Sequence, residues 1–336
     1  MPALTVLLSA GSDAGATLLT VRDLCAQNFS DLELLVLDDG AAETTASAIA
    51  WDCEDSRVRV IRVEASGGGA ALNEGLALAA GSLIARVAPG DVSAPDRFAR
   101  QASLLAAGPE LAFVVTGWRS VRMDGSIHHQ VTPSAADAGL RLAMATGDAV
   151  GHPTAMMRRE AIEKAGGWRP GFVGLEDYDL LLRLLDRHRA VSLPEALVEC
   201  KAPSAVVGWR TLEQLMLSEM AAVAAHDRRQ VGRPDHGERT APVDRSVLHR
   251  MGMTEEEVAH GIVNRALSAA VTAGAAGQWR AMREAARLGL QQEALPGGLK
   301  SQFVRLWLRS LARLRPGGAV ISLEGAGMTG MSADQG

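Results

Sequence analysis

Short apolar runs alternate with longer segments of helical spacing through the first third of the chain. Leu4 to Ser9 (LTVLLS) is an apolar run of strand length. Thr17 to Gln27 sets Leu18, Val21, Leu24 and Cys25 at helical spacing, and Leu32 to Gly40 (LELLVLDDG) reads as a buried strand ending in two carboxylates and a turn glycine. Arg57 to Val63 (RVRVIRV) alternates strictly, as a half-buried strand does. A glycine turn at 67–69 then opens a helix with Ala71, Leu72, Gly75, Leu76 and Ala79 on one face, and the run LIARVA follows. This succession predicts βαβ units, and hence an α/β fold with a mostly parallel sheet covered by helices on both faces. Ligands of such sheets lie beyond the carboxyl ends of the strands, where Ser9, Asp38, Asp39 and the turn from Ala88 to Asp91 fall.

Composition narrows the picture by exclusion. The chain has 336 residues, enough for one large α/β domain and a smaller appendage, and a formal net charge of -5. Its basic residues are interspersed with acids over most of the length, so no nucleic-acid footprint is expected. Cys25, Cys53 and Cys200 show neither CxxC nor metal-ligand spacing, which suits a reducing compartment. The N-terminal segment lacks the basic region of a secretory signal, and no run of eighteen residues is apolar enough to span a bilayer. The expectation is a cytoplasmic protein, with the inner face of the membrane as the alternative. The glycines at 67–69 do not complete GxGxxG, since Leu72 takes the last position, and no GKS or GKT follows. A dinucleotide fingerprint and a Walker loop are thereby excluded.

The segments LTVLLSAGS, CAQNFSDLELLVLDDG, VRVIRVEASGGGAALNEGLALAAGSLIARV, DVSAPDRFARQ, GHPTAMMRREAIEKAGGW and EDYDLLLRL follow one another over roughly the first 200 residues. In order and spacing they resemble the family 2 glycosyltransferases, which have the GT-A fold, a Rossmann-like sheet. That resemblance implies a nucleotide-diphospho-sugar donor, often a UDP-sugar, and direct displacement at the anomeric carbon with inversion. It places Ser9 and Asp39 at the nucleotide, with Asp38 beside them, and makes Asp177 the base that takes the acceptor's proton, with Glu176 adjacent. A sugar hydroxyl is a poor nucleophile at neutral pH, so a carboxylate within hydrogen-bond reach is what the reaction needs. Adjacent carboxylates, if partly buried, raise one pKa by repulsion and desolvation. The same acids at a helix start also suit the helix dipole.

Two departures fall on the donor side. Family members carry a DxD or DxDD motif whose aspartate holds a magnesium or manganese ion on the donor diphosphate; here the matched positions are Ala88, Pro89 and Gly90. Only Asp91 is left to hold an ion after a one-residue shift, on a backbone that Pro89 and Gly90 make unlike the usual one. After the first strand, where the family has Pro-x-Tyr-Asn or similar, Ser9 is followed by Ala10, Gly11 and Ser12. His152 in GHPT and Lys201 after ALVEC are the groups that could face the diphosphate instead. Three readings follow: a transferase with weakened or no metal dependence, a catalytically degenerate transferase serving as a binding or regulatory subunit of an active partner, and a nucleotidyltransferase. The last lacks the glycine-rich and basic first loop.

The organisation expected is a GT-A domain over 1–205, a helical region over 206–315 with a polar linker near 227–245, and a flexible tail over 316–336. Thr211 with Gln214 and Thr254 with Glu257 have capping-box spacing. In the segment from Gln302 to Arg315, Arg305, Arg309 and Arg313 recur every fourth residue, opposite Phe303, Leu306, Leu311 and Leu314, with Trp307 between them. Such a helix suits either an anionic membrane surface or an ordinary packed terminus with a solvated basic face. The acceptor, whether polysaccharide, lipid or protein glycan, is not specified by any of these residues.

Overall fold

A computed structural model describes residues 2–10, 13–38, 49, 53–64, 68–121, 125–145, 154–201, 209–237, 241–275, 277–292 and 297–314. The strands are β1 (Leu4–Ser9), β2 (Leu32–Asp38), β3 (Val58–Arg62), β4 (Leu83–Val87), β5 (Val92–Ser93), β6 (Leu111–Val121), β7 (Ile127–Val131), β8 (Met156–Arg158) and β9 (Arg189–Lys201). They form one sheet in the order β3-β2-β1-β4-β8-β6-β9-β5, with β7 paired to β6. The run β3, β2, β1, β4 is parallel throughout, and β6 is parallel to β9. The short strands β5, β7 and β8 run antiparallel to their neighbours. Because β2 lies on one side of β1 and β4 on the other, the carboxyl end of β1 is a topological switch point, the place where open α/β sheets leave a crevice.

The helices are α1 (Ala14–Cys25), α2 (Gly68–Leu78), α3 (Arg97–Ala107), α4 (Asp137–Ala145), α5 (Arg159–Lys164), α6 (Glu176–Leu185), α7 (Trp209–Gln230), α8 (Arg245–Arg250), α9 (Glu255–Ala275), α10 (Trp279–Leu290) and α11 (Gly297–Leu314). Helix α1 begins a turn before the expected Thr17, because the Asp13 carboxylate accepts the Ala16 N–H at 3.0 Å and caps it. Strand alternation then sorts the sheet. Leu4, Val6, Leu8, Leu34, Val36, Ala85 and Val87 pack with Val21 and Leu24 of α1 and with Phe98 and Leu105 of α3. Leu7 and Leu37 point the other way, onto α2, where a Cβ on Gly75 would lie within 3.1 Å of both side chains. Helices thus cover both faces, as the sequence pattern predicts.

The chain divides into two compact units, Met1–Ala205 with Glu213–Val258, and Val206–Leu212 with Ala259–Gly336. Residues 213–258, which the sequence groups with the C-terminal helices, therefore cluster with the sheet. The segment from 227 to 245 corrects the expectation of a plain exposed linker. Residues 231–234 are exposed, but Asp235 pairs with Arg169 at 2.6 Å and Arg229 at 3.0 Å, and Val243 is wholly buried with its N–H on Gly171 O. Local polarity carries no record of partners so distant in sequence. Thr211 lies inside α7, and the Gln214 amide donates to Val243 O at 2.8 Å, so that pair forms no capping box. The second one forms as expected: Thr254 N–H donates to Glu257 Oε2 at 2.7 Å, and Glu257 N–H to Thr254 Oγ1 at 3.2 Å.

In the second unit, α11 packs through the buried Phe303, whose ring closes on Gly289 of α10, and through Ser310. Arg305, Arg309 and Leu308 are exposed, with the Arg309 guanidinium 6.0 Å from the Trp279 ring centre.

Candidate active site

The site grows from the carboxyl ends of β1 and β4, which are neighbours across the switch point. Ser9 ends β1, and its Oγ is buried with no hydrogen-bond partner among the described residues. Asp38 ends β2 two positions after Val36, so alternation turns it to the α1 and α3 face, away from Ser9 and Leu7. There its Oδ2 lies 3.2 Å from Arg62 Nη1. Asp39 and His152 lie outside the described residues. Lys201 ends β9 opposite Val121, and its side chain is likewise outside the described set.

The stretch Ala88 to Asp91 is a tight turn in its own right. Asp91 N–H donates to Ala88 O at 3.1 Å and Gly90 has φ of 88°, the arrangement of a type II turn with proline and glycine at its two central positions. Thr20 of α1 fastens it from below: its hydroxyl accepts Gly90 N–H at 2.9 Å and donates to Asp91 O at 3.0 Å. A side chain at 90 would sit in the left-handed region, so the glycine is built into the turn.

Asp91 is turned inward. Its Oδ2 accepts Ala88 N–H at 3.1 Å, its carboxylate takes a hydrogen bond from the Cys200 thiol, and the residue is 6% exposed. Burial raises its pKa above the usual aspartate value, and burial together with Asp91 pushes the Cys200 thiol up as well. Behind them lies Arg97, entirely buried, donating to Gln101 Oε1 at 3.1 Å and Ser93 Oγ at 2.9 Å. Burial lowers the Arg97 pKa to about 10, against the attraction of Asp91. The donor set expected for a divalent ion is therefore not met here: Ala88 and Gly90 offer no carboxylate, and that of Asp91 is committed to the turn. Among the described residues no three His, Cys, Asp or Glu side chains group to hold a metal ion.

Opposite the turn stands the N-terminus of α6. Asp177 Oδ1 accepts the Trp168 indole N–H at 2.6 Å, and Oδ2 lies 3.4 Å from Arg86 Nη1. Trp168 is fixed by Asn73 of α2, whose amide accepts Trp168 N–H at 2.9 Å and donates to Trp168 O at 2.8 Å. The loop before it leaves α5 through Gly166 and Gly167, both at positive φ, and is held by Arg183, which donates to Ala165 O at 2.6 Å and Gly167 O at 2.7 Å. Arg183 in turn is bonded to Asp179 at 2.9 Å, one turn earlier on α6. Asp179 thus serves an ion pair within the helix and supports the loop that presents Trp168 to Asp177.

Glu176 is 6% exposed and lies against the first residue of α2, where a Cβ on Gly68 would come within 2.4 Å of its Oε1. Burial first and the Asp177 charge second raise its pKa above the usual glutamate value, with Arg86 opposing. The sequence reading of adjacent carboxylates thus meets a group whose proton affinity is raised, and it is Glu176. Sequence reasoning missed Arg86, Trp168 and Asn73. The one available signal was a charged residue inside the apolar run LIARVA.

The mannosyltransferase PcManGT of Pyrobaculum calidifontis, solved with GDP-Man and Mn2+, superposes over 93% of this chain and 86% of its own at 20% identity and a TM-score of 0.51. TarS residues 1–349 of S. aureus, in the crystal with UDP-GlcNAc, superpose over 92% and 90% at 13% identity and a TM-score of 0.51. The chain has the GT-A fold, with helices following the sheet. Residues 14–166 match the model of glycosyl transferase family 2. The O-antigen biosynthesis glycosyltransferase WbnJ of Escherichia coli is 28% identical over 170 residues, 50% of this chain and 66% of that protein. The O-antigen biosynthesis protein RfbC of Myxococcus xanthus is 27% identical over 216 residues, which are 62% of this chain but 17% of RfbC.

Proposed function

We propose that the protein transfers a sugar from a nucleotide-diphospho-sugar to an acceptor hydroxyl with inversion, with weak or no dependence on a divalent metal. The observation that carries this reading is Asp177, a nearly buried carboxylate held by Trp168 and Arg86 beside the carboxyl end of β4. In the proposed step the acceptor O–H gives its proton to Asp177 as its oxygen bonds to the anomeric carbon. The bond from that carbon to the diphosphate breaks on the opposite side, and the nucleoside diphosphate departs with the electron pair. Ser9 and Asp39 are assigned to the nucleotide, with Asp38 supporting through Arg62. His152 and Lys201 are assigned to the diphosphate or acceptor side. GDP-Man and UDP-GlcNAc, named with the neighbouring structures, set the donor classes to try.

The inward Asp91 and the Ala88–Gly90 turn favour a second reading, a degenerate transferase that binds or regulates an active partner. Calorimetry with UDP, GDP and dTDP, each with EDTA and with manganese, followed by donor hydrolysis on the sugar forms, tests both. Nucleotide binding with slow release of free sugar is expected. Folded protein that binds none of the three would remove the transferase reading.

We assign α11 to the surface of an anionic membrane, at the inner face of the cell membrane. Arg305 and Arg309 flank Leu308, which is 51% exposed, and Val304 adds a second exposed aliphatic side chain. No described helix is long and apolar enough to cross a membrane. Cosedimentation with vesicles holding a third phosphatidylglycerol should exceed that with neutral vesicles by about tenfold, and R305E/R309E should abolish the difference. Equal partitioning onto both vesicle types would refute the assignment.

A further inference from the structure

Arg86 is a cation with donors left over. It lies on β4 two residues before Ala88, and alternation puts both on one face of the strand, opposite the face that Ala85 and Val87 bury. Its register partner is Leu7 of β1, so it stands beside the switch point. The side chain is 17% exposed, and among the described residues its Nε is buried without a partner and its ion pair is to Asp177 at 3.4 Å. A charge-assisted contact is normally nearer ~2.8 Å.

Arg169 and Arg229 of this unit also leave one buried nitrogen unpartnered among the described residues, but each holds Asp235, at 2.6 Å and 3.0 Å, whereas three further inward arginines are more fully bonded. Arg183 uses Nε, Nη1 and Nη2, Arg158 places Nε and Nη2 on three carbonyls, and Arg97 is anchored by Gln101 and Ser93. Buried donors are seldom left unpaired, and a guanidinium offers five in a fork that fits phosphate oxygens.

Resting on the nucleotide-sugar reading, we propose that Arg86 receives the donor diphosphate in the place where relatives with a DxD motif use a carboxylate-bound metal. Ala88 adds no second carboxylate beside Arg86, whose guanidinium already faces Asp177 at 3.4 Å. Arg86 touches the candidate base as well, so a diphosphate that engages it loosens its hold on Asp177 Oδ2 and ties donor arrival to the freeing of the base.

The test is calorimetry in EDTA on the full chain with UDP, GDP and dTDP and with uridine, guanosine and thymidine. For the pair that binds, the parent should favour the diphosphate over its nucleoside by at least about tenfold. Arg86→Gln should erase about 10- to 100-fold of that preference while nucleoside affinity stays within about threefold, and Arg86→Lys, which keeps the charge without the fork, should restore only part of it. Should Arg86→Gln unfold by stranding Asp177, R86Q/D177N removes both charges and must show the same loss. An undiminished preference in a folded Arg86→Gln chain, or a parent preference that arises only with manganese, would overturn the proposal and leave the transferase reading intact. Absence of binding by every nucleotide and nucleoside overturns both together.

Discussion

Asp177→Asn lowers turnover by about 100-fold to 10,000-fold while nucleoside diphosphate affinity does not fall, since Arg86 is left free for the diphosphate. The amide keeps the shape of the carboxylate and still accepts the Trp168 indole N–H, so the fold around α6 should persist. What it cannot do is take the acceptor's proton. Glu176 supplies the control. Its pKa is raised by burial and by Asp177, so as pH falls it takes a proton earlier than an ordinary glutamate, whose pKa is 4.5. If Glu176 must be ionised for turnover, the acid limb of kcat/KM lies above that value and Glu176→Gln is inactive at every pH; if it need not be, Glu176→Gln keeps parental turnover. An Asp177→Asn chain with parental turnover, together with a dead Glu176→Gln chain, would move the base by one residue.

Arg97→Met costs about 3–5 kcal/mol in folding free energy, as removing the nearby counter-charge of a buried carboxylate does. Arg97 is wholly buried, lies over the Phe98 ring at 5.1 Å, and draws on the charges of Asp91 and Asp23. Burial already raises both carboxyls, and Arg97 offsets part of that rise. Without it their folded pKa values climb further, which places the penalty above those values. Stability should then recover as pH falls through them towards the ordinary aspartate value of 3.8. Urea unfolding at pH 8 and pH 5 reads this directly, with the larger loss at pH 8. A loss under about 1 kcal/mol that does not change with pH would mean that Arg97 carries no charge partnership and only fills space.

How far the site was legible in the sequence follows from the range of each interaction. LTVLLS, LELLVLD and RVRVIRV fold as strands because alternation or continuous apolarity is a local property of the side chains. The Thr254–Glu257 cap is equally local, since both partners lie within one turn. Helix α1 was misplaced by a turn because its cap, Asp13, precedes the apolar pattern that announces the helix. The sheet beyond β4 was out of reach. The two-residue strand β5 and the three-residue β8 have no period to detect, and their order is fixed only when β6 and β9 pair.

The carboxylates make the same division. By itself the sequence determined that Ala88, Pro89 and Gly90 carry no acid, that a proline and a glycine stand where a tight turn forms, and that Glu176 and Asp177 open a helix. Tertiary structure decided which way each acid faces. Asp91 turns inward because the Ala88 amide, Cys200 and Arg97 await it there, and Asp177 meets Trp168 and Arg86 because α6 packs where β4 ends. A side chain's direction and its partners are set by packing between elements distant in the chain, where no local pattern records them.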